Sequence, residues 1–121
     1  MMTAQQRFIV FRQAVWHWIE ILGLKSHELR IVYNAPWAES GDLAALRSNR
    51  TSRTATITLT KIGAKSRESM HDLALHEALE LLLADFYDLS EYRYATRKEL
   101  DIERHKIIAR LSCALRKESR K

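Results

Sequence analysis

The chain has 121 residues, 46% of them hydrophobic, with a formal net charge of +5 and one cysteine. That length fits a single domain, 1–121, with a modest core. One cysteine excludes an intrachain disulfide framework. The lack of any apolar run of about 18 residues excludes a membrane-spanning helix. The opening residues carry no basic cap, apolar stretch and small-residue cleavage site, so no secretory signal is expected and the expected location is cytoplasmic. Three Gly and one Pro favour long regular elements. The positive charge favours acidic partners, nucleic acid among them.

Residues 5–22 predict an amphipathic helix. Phe8, Phe11, Val15, Trp18, Ile19 and Leu22 recur at three- and four-residue steps. Gly23 is its expected C-cap, and Trp16 falls beside the stripe. Residues 28–34 alternate as a strand, with Leu29, Ile31 and Tyr33 on one face, and Pro36 closes it. Residues 37–49 are ambiguous and fit a short strand and an irregular crossing segment, with Leu43 and Leu46 turned inward.

Residues 53–60 predict a second clear strand. Ala55, Ile57 and Leu59 form one face and four threonines the other, which has the character of an exposed edge. Residues 61–69 read as a polar connector. Ser69 or Asp72 is placed to cap a helix running to about residue 84. Residues 85–96, with Tyr87, Tyr92 and Tyr94, read as a linker. A last helix is expected over 97–116, with Cys113 as a buried thiol, followed by a loose basic tail at 117–121.

The chemistry concentrates in Leu75-His76-Glu77-Ala78-Leu79-Glu80. At about 100° per residue, His76 and Glu80 share one side of the helix. The neighbouring stripe of Leu75, Leu79, Leu82 and Phe86 implies that they border buried surface. A carboxylate there needs a partner, and a metal ion is a good one. Glu77 is turned away from that pair, the placement of a general base rather than a ligand. A catalytic zinc site usually takes three protein ligands. The last helix offers Asp101, Glu103 and His105. His105 completes a set of two histidines and one carboxylate. Glu103 gives a harder set that tilts toward manganese or iron. The plainer alternative pairs His76 with a nearby carboxylate and Glu80 with Arg104 or Arg110.

This chain resembles the minimal zincin-like metallopeptidases often encoded by bacteriophages and prophages. The likeness runs from about residue 29 to 111. It rests on residues 72–84 (DLALHEALELLLA) and 103–111 (ERHKIIARL), and it departs where Glu80 stands at the second histidine of HExxH. It implies an α+β fold with an N-terminal helix, a small sheet of two or three strands, an HExxE helix and a C-terminal helix. It further implies His76 and Glu80 as metal ligands, Glu77 as catalytic base, and Glu103 as third ligand with His105 competing. Zn²⁺ is the implied cofactor, Mn or Fe less so. The implied activity is peptide or protein hydrolysis, weakened or lost because a glutamate ligand leaves the metal a poorer Lewis acid.

Two other function classes fit the residues. Arg47, Arg50, Arg53, Lys61, Lys65 and Arg67, with the basic tail, suit nucleic-acid phosphates. The tyrosines with Trp16 and Trp37, together with an edge strand, suit a protein-interaction module.

Overall fold

The computed structural model describes residues 2–91 and 94–119, with side chains through residue 115. It is α+β, with four helices and a three-stranded mixed sheet. Helix α1 spans Ala4–Leu22. Thr3 and Gln6 close its N-terminus as a capping box: Gln6 N donates to Thr3 Oγ1 at 3.1 Å, and Thr3 N to Gln6 Oε1 at 2.8 Å. Gly23, at φ 68°, ends it in the left-handed conformation open to glycine. The anticipated stripe is the buried one, with Phe11, Val15, Ile19 and Leu22 in the core. Trp16 lies outside it and is exposed.

Strands β1 (Glu28–Tyr33), β2 (Ala44–Asn49) and β3 (Thr54–Leu59) are ordered β1-β3-β2. β1 runs parallel and β2 antiparallel to β3. The threonine strand is therefore the centre of the sheet, which corrects the expectation of an edge. Ala55, Ile57 and Leu59 face the core as expected. The opposite face is covered only toward its C-terminal end, while Thr54 and Thr56 stay partly exposed. Thr58 is fully buried, its hydroxyl accepting from Ala35 N at 3.0 Å. A β-branched hydroxyl residue suits a strand interior when a turn supplies its hydrogen bond, which a pattern of alternating threonines does not reveal.

The expected connector holds a short helix, α2 (Lys61–Lys65), capped by Thr60, whose side chain accepts from Gly63 N. Helix α3 spans Met70–Glu91 and so absorbs most of the expected 85–96 linker. Ser69 Oγ accepts from His71 N and Asp72 N, so Ser69 is the cap. Helix α4 spans Arg97–Ser119, three residues past the expected end. It starts with a second capping box, between Thr96 and Glu99. Cys113 is exposed, against expectation. Tyr92 and residues 120–121 of the expected tail lie outside the described residues. Among the described residues, no helix is long and apolar enough to cross a membrane.

One core cluster joins the inner sides of α1 and α3 to Ala55, Ile57 and Leu59. The face of α3 inside it is Met70, Ala74, Ala78, Leu81 and Leu82. The expected stripe was rotated from this. Leu82 is buried, but Leu79 is 37% exposed. Ala74 and Ala78 of α3 share one buried cluster with the bulky Phe11 and Val15 of α1, and small residues on one helix leave room for large ones on its neighbour. Side-chain size therefore misleads a reading that ranks apolar residues by bulk.

A polar cluster closes the far end of this core. Arg53, at φ 56°, donates to Asp85 Oδ2 at 2.7 Å and to Ser26 Oγ at 2.6 Å. His27 is nearly fully buried beside it, with Nε2 3.8 Å from Asp85 Oδ1. Neither ring nitrogen has a hydrogen-bond partner. Burial first, then the Arg53 charge, lowers the His27 pKa; Arg110 adds to this, and Asp85 and Asp88 oppose it. The unfolded chain thus binds a proton near pH 6.5 that the folded chain accepts less readily. Stability from this group is full above pH 6.5 and falls as pH drops toward the folded pKa. The melting temperature of His27→Gln is expected to fall less than that of the parent between pH 7 and pH 5. Parallel curves would show that His27 does not carry this dependence.

Candidate functional site

The rotation of α3 decides the site. With Ala74, Ala78 and Leu81 inward, Glu77 lies on the same buried line and is only 4% exposed. His76 and Glu80 fall on the outer flank, with side chains 67% and 52% exposed. The sequence assigned the opposite burial to His76 and Glu80. Their pairing on one side of the helix is as expected, with His76 Nε2 3.0 Å from Glu80 Oε1.

Glu77 is a buried carboxyl whose Oε2 has no hydrogen-bond partner. Burial raises its pKa from 4.5 to about 7, and the Glu80 charge adds to the rise; His76 opposes it and Asp42 supports it. A carboxylate poised near neutrality can both take and return a proton at physiological pH.

His76, Glu77 and Glu80 each offer one ligand atom within 4.8 Å of the others, so this group can hold a metal ion. Two ligands on one tetrahedral zinc lie about 3.3 Å apart, given bonds of about 2.0–2.1 Å. The His76–Glu80 spacing of 3.0 Å is close to that. A carboxylate oxygen of Glu77 is the further potential donor. One imidazole and two carboxylates suit a borderline or hard divalent ion.

The last helix adds nothing to this group among the described residues. His105 Nδ1 is 2.7 Å from the Asp101 carbonyl oxygen, a contact within its own helix. Glu103 Oε1 is bonded to Lys106 Nζ at 3.2 Å. Arg104 pairs with Asp101 at 3.1 Å rather than with Glu80. The plainer expectation for His76, a bond to a neighbouring carboxylate, is the arrangement seen.

Two recesses lie in line between β2 and α3, on either side of these residues. The first, about 330 Å³, is bounded by Leu43 and Ala44 on the strand side and by Asp72, Leu73, His76 and Glu77 on the helix. The second, about 400 Å³, is bounded by Leu46 and Ser48 on the strand and by Glu80, Leu83, Tyr87 and Asp88 on the helix.

The strand side of this groove is an open sheet edge. Thr60 N donates to Leu43 O at 3.1 Å, so Leu43 and Thr60 form a hydrogen-bonded antiparallel pair. Such pairs alternate along the ladder. Ala45, Arg47 and Asn49 therefore exchange bonds with β3 through Thr58, Thr56 and Thr54. The N–H and C=O groups of Ala44, Leu46 and Ser48 point away from β3, and these three residues are also the ones that line the recesses.

Sequence reasoning missed β2 as a definite strand because Ala-Ala-Leu-Arg-Ser-Asn has no β-branched residue. The available signal was the alternation of Ala44, Leu46 and Ser48 with Arg47 and Asn49. Asp88 was missed because α3 was ended too early, and Tyr87, read as part of a protein-contact patch in a linker, lies on α3 beside the groove. Comparison of the chain with protein-family models, curated proteins and solved structures gives no match, so the reading of this site rests on its own geometry.

Proposed function

We propose that the groove between β2 and α3 is a zincin-like peptide-hydrolase site of low efficiency. The observation that carries this reading is Glu77: a buried carboxyl with near-neutral proton affinity, beside a ligand-capable His76–Glu80 pair, on a groove with a free strand edge. An extended peptide laid along β2 would bond to the backbone of Ala44, Leu46 and Ser48, which places one of its carbonyls over α3. His76 and Glu80 are the residues that would hold the ion, and a Glu77 carboxylate oxygen lies within 4.8 Å of their ligand atoms, placed to act on water held there. A bound divalent ion, Zn²⁺ in the first instance, polarises the substrate carbonyl and acidifies water.

Glu77 performs the proton transfers. It accepts a proton from the water that adds to the carbonyl carbon. It returns that proton to the amide nitrogen as the C–N bond breaks. Two ligands from one exposed helical turn, His76 and Glu80, bind more weakly than three gathered from two helices, and a carboxylate in place of imidazole lowers Lewis acidity. Both favour slow turnover.

The contact between His76 and Glu80 supports a second reading, a peptide-binding module without chemistry, since each already satisfies the other. Phosphate is a poor occupant of this groove because its lining carries carboxylates. Of the basic residues that suggested nucleic acid, Arg53 is tied to Asp85 and Arg47 lies over the Trp37 ring.

Elemental analysis and zinc, manganese and iron titration of untagged protein test the proposal. Zinc is expected to bind with one site per chain, and His76→Ala is expected to lose at least about tenfold in affinity, the scale on which one ligand matters. Folded protein that takes up no metal would end the hydrolase reading and leave the binding module.

A further inference from the structure

The charge of the groove opposes that of the chain. The chain carries a net charge of +5, yet among the described residues the two recesses are lined by Glu68, Asp72, Glu77, Glu80 and Asp88 and by no lysine or arginine. Four of these carboxylates belong to α3 and Glu68 just precedes it, so they border the groove in turn along its helix side. From Asp72 to Asp88 the helix rises about 24 Å, the length of about seven residues of extended chain. Glu77, whose Oε2 is buried and unpartnered, is part of the lining of the first recess.

The second recess has a particular shape. Leu46, Leu83 and Ala84 give it an apolar lining, the exposed Tyr87 borders it, and Glu80 and Asp88 add two carboxylates. A long side chain with an apolar stem and a cationic head fits that combination. The stem covers the leucines, while the head reaches a carboxylate and the Tyr87 ring.

We propose that the groove selects an extended peptide bearing lysine or arginine, with one such side chain in the recess between Leu46 and Asp88. This rests on the reading of the groove as a peptide channel, but needs neither bound metal nor hydrolysis. Backbone bonding to β2 supplies affinity for any extended chain, and the carboxylate line supplies the preference for positive charge.

The test uses the full chain, freed of metal, and three fluorescent heptapeptides. They are alanine-based and carry lysine, glutamine or glutamate at the same two positions. Anisotropy is read at low and at high salt. The lysine peptide is expected to bind at least about tenfold more tightly than the glutamine peptide at low salt, with the gap narrowing as salt screens it. The glutamate peptide is expected to bind weakest.

Asp88→Lys should remove the lysine preference, and Asp88→Asn should reduce it by several-fold. Both change an exposed position, and circular dichroism checks that they fold. Ser48→Pro removes a backbone donor that faces the groove rather than β3, a place where an edge strand tolerates proline. It should weaken all bound peptides alike.

Equal binding of the lysine and glutamine peptides, or an unchanged preference in Asp88→Lys, would overturn the charge selection while the peptide channel stands. No binding by any of the three would overturn both.

Discussion

Gly63→Ala is expected to destabilise the protein by about 3 kcal/mol, at the upper end of the cost of overpacking. A Cβ at Gly63 would overlap the Leu43 carbonyl oxygen and would come within 2.8 Å of the Leu43 carbonyl carbon and 2.9 Å of Leu59 Cδ1. The carbonyl has nowhere to retreat. It accepts from Thr60 N at 3.1 Å and shares the single Thr60 hydroxyl proton, at 3.0 Å from Oγ1, with Asp42 O at 2.6 Å, while Thr60 Oγ1 accepts from Gly63 N at 2.9 Å. Moving the oxygen aside loses hydrogen bonds of about 1 kcal/mol each. Moving α2 aside uncovers Leu59, which is fully buried.

The damage extends to the groove, because Leu43 and Ala44 form its strand-side lip. Urea unfolding measures the loss, and peptide affinity should fall alongside it. Gly23→Ala is a useful contrast. No atom lies within 4 Å of its would-be Cβ, so only the left-handed backbone at φ 68° resists it, at about 1 kcal/mol. A Gly63→Ala loss below about 1 kcal/mol would mean that α2 slides freely, and that the packing between α2 and β2 does not hold the groove in shape.

That glycine illustrates what could be read in the residues alone. Local signals were reliable where one element decides its own fate. The α1 stripe, its Gly23 cap, the β1 alternation and the inward face of β3 all follow from periodicity and backbone preference. Features set by the partner element were not legible. Whether Gly63 marks a flexible connector or a close approach depends on Leu43, twenty residues away. Whether β3 is an edge depends on where β2 pairs, and β2 has no strand-forming composition.

The site divided in the same way. Glu77 was placed as the base from its angular offset, and that offset also puts it on the buried line. The burial of His76 and Glu80 was inverted because α1 selects the alanine face of α3. The small Ala74 and Ala78, not Leu75 and Leu79, allow the contact. His105 and Glu103 were candidates because α4 could in principle turn either face to α3. Their own-helix partners, Asp101 and Lys106, occupy them instead.

Glu77→Gln is expected to make the metal-free protein more stable and any hydrolysis slower, and the two effects share one cause. In the folded protein the Glu77 carboxyl binds its proton up to about pH 7, against 4.5 ordinarily. Below pH 4.5 both folded and unfolded chains hold that proton, and the group contributes no pH dependence. As pH rises from 4.5 to 7 the unfolded chain releases the proton and the folded chain retains it, so stability falls. Above 7 the full cost of burying the charge remains, roughly 3 kcal/mol for such a shift. Glutamine keeps the shape of the side chain without that charge.

The variant should therefore be more stable than the parent at pH 8 by about 2–3 kcal/mol, and the difference should shrink toward pH 4.5. This slope opposes that of His27, and comparing each variant with the parent separates them. Metal-loaded Glu77→Gln should lose at least about 100-fold in peptide turnover, the contribution of a positioned base. A buried charge that costs stability and serves no reaction has no reason to stand among Ala74, Ala78 and Leu81. Gain of stability with loss of turnover is the signature of a working base. Gain of stability in a protein that hydrolyses nothing would leave Glu77 as a ligand or a peptide contact. A variant less stable than the parent at pH 8 would mean that the ionised carboxyl is satisfied in the folded protein, and the case for a tuned base would fall with it.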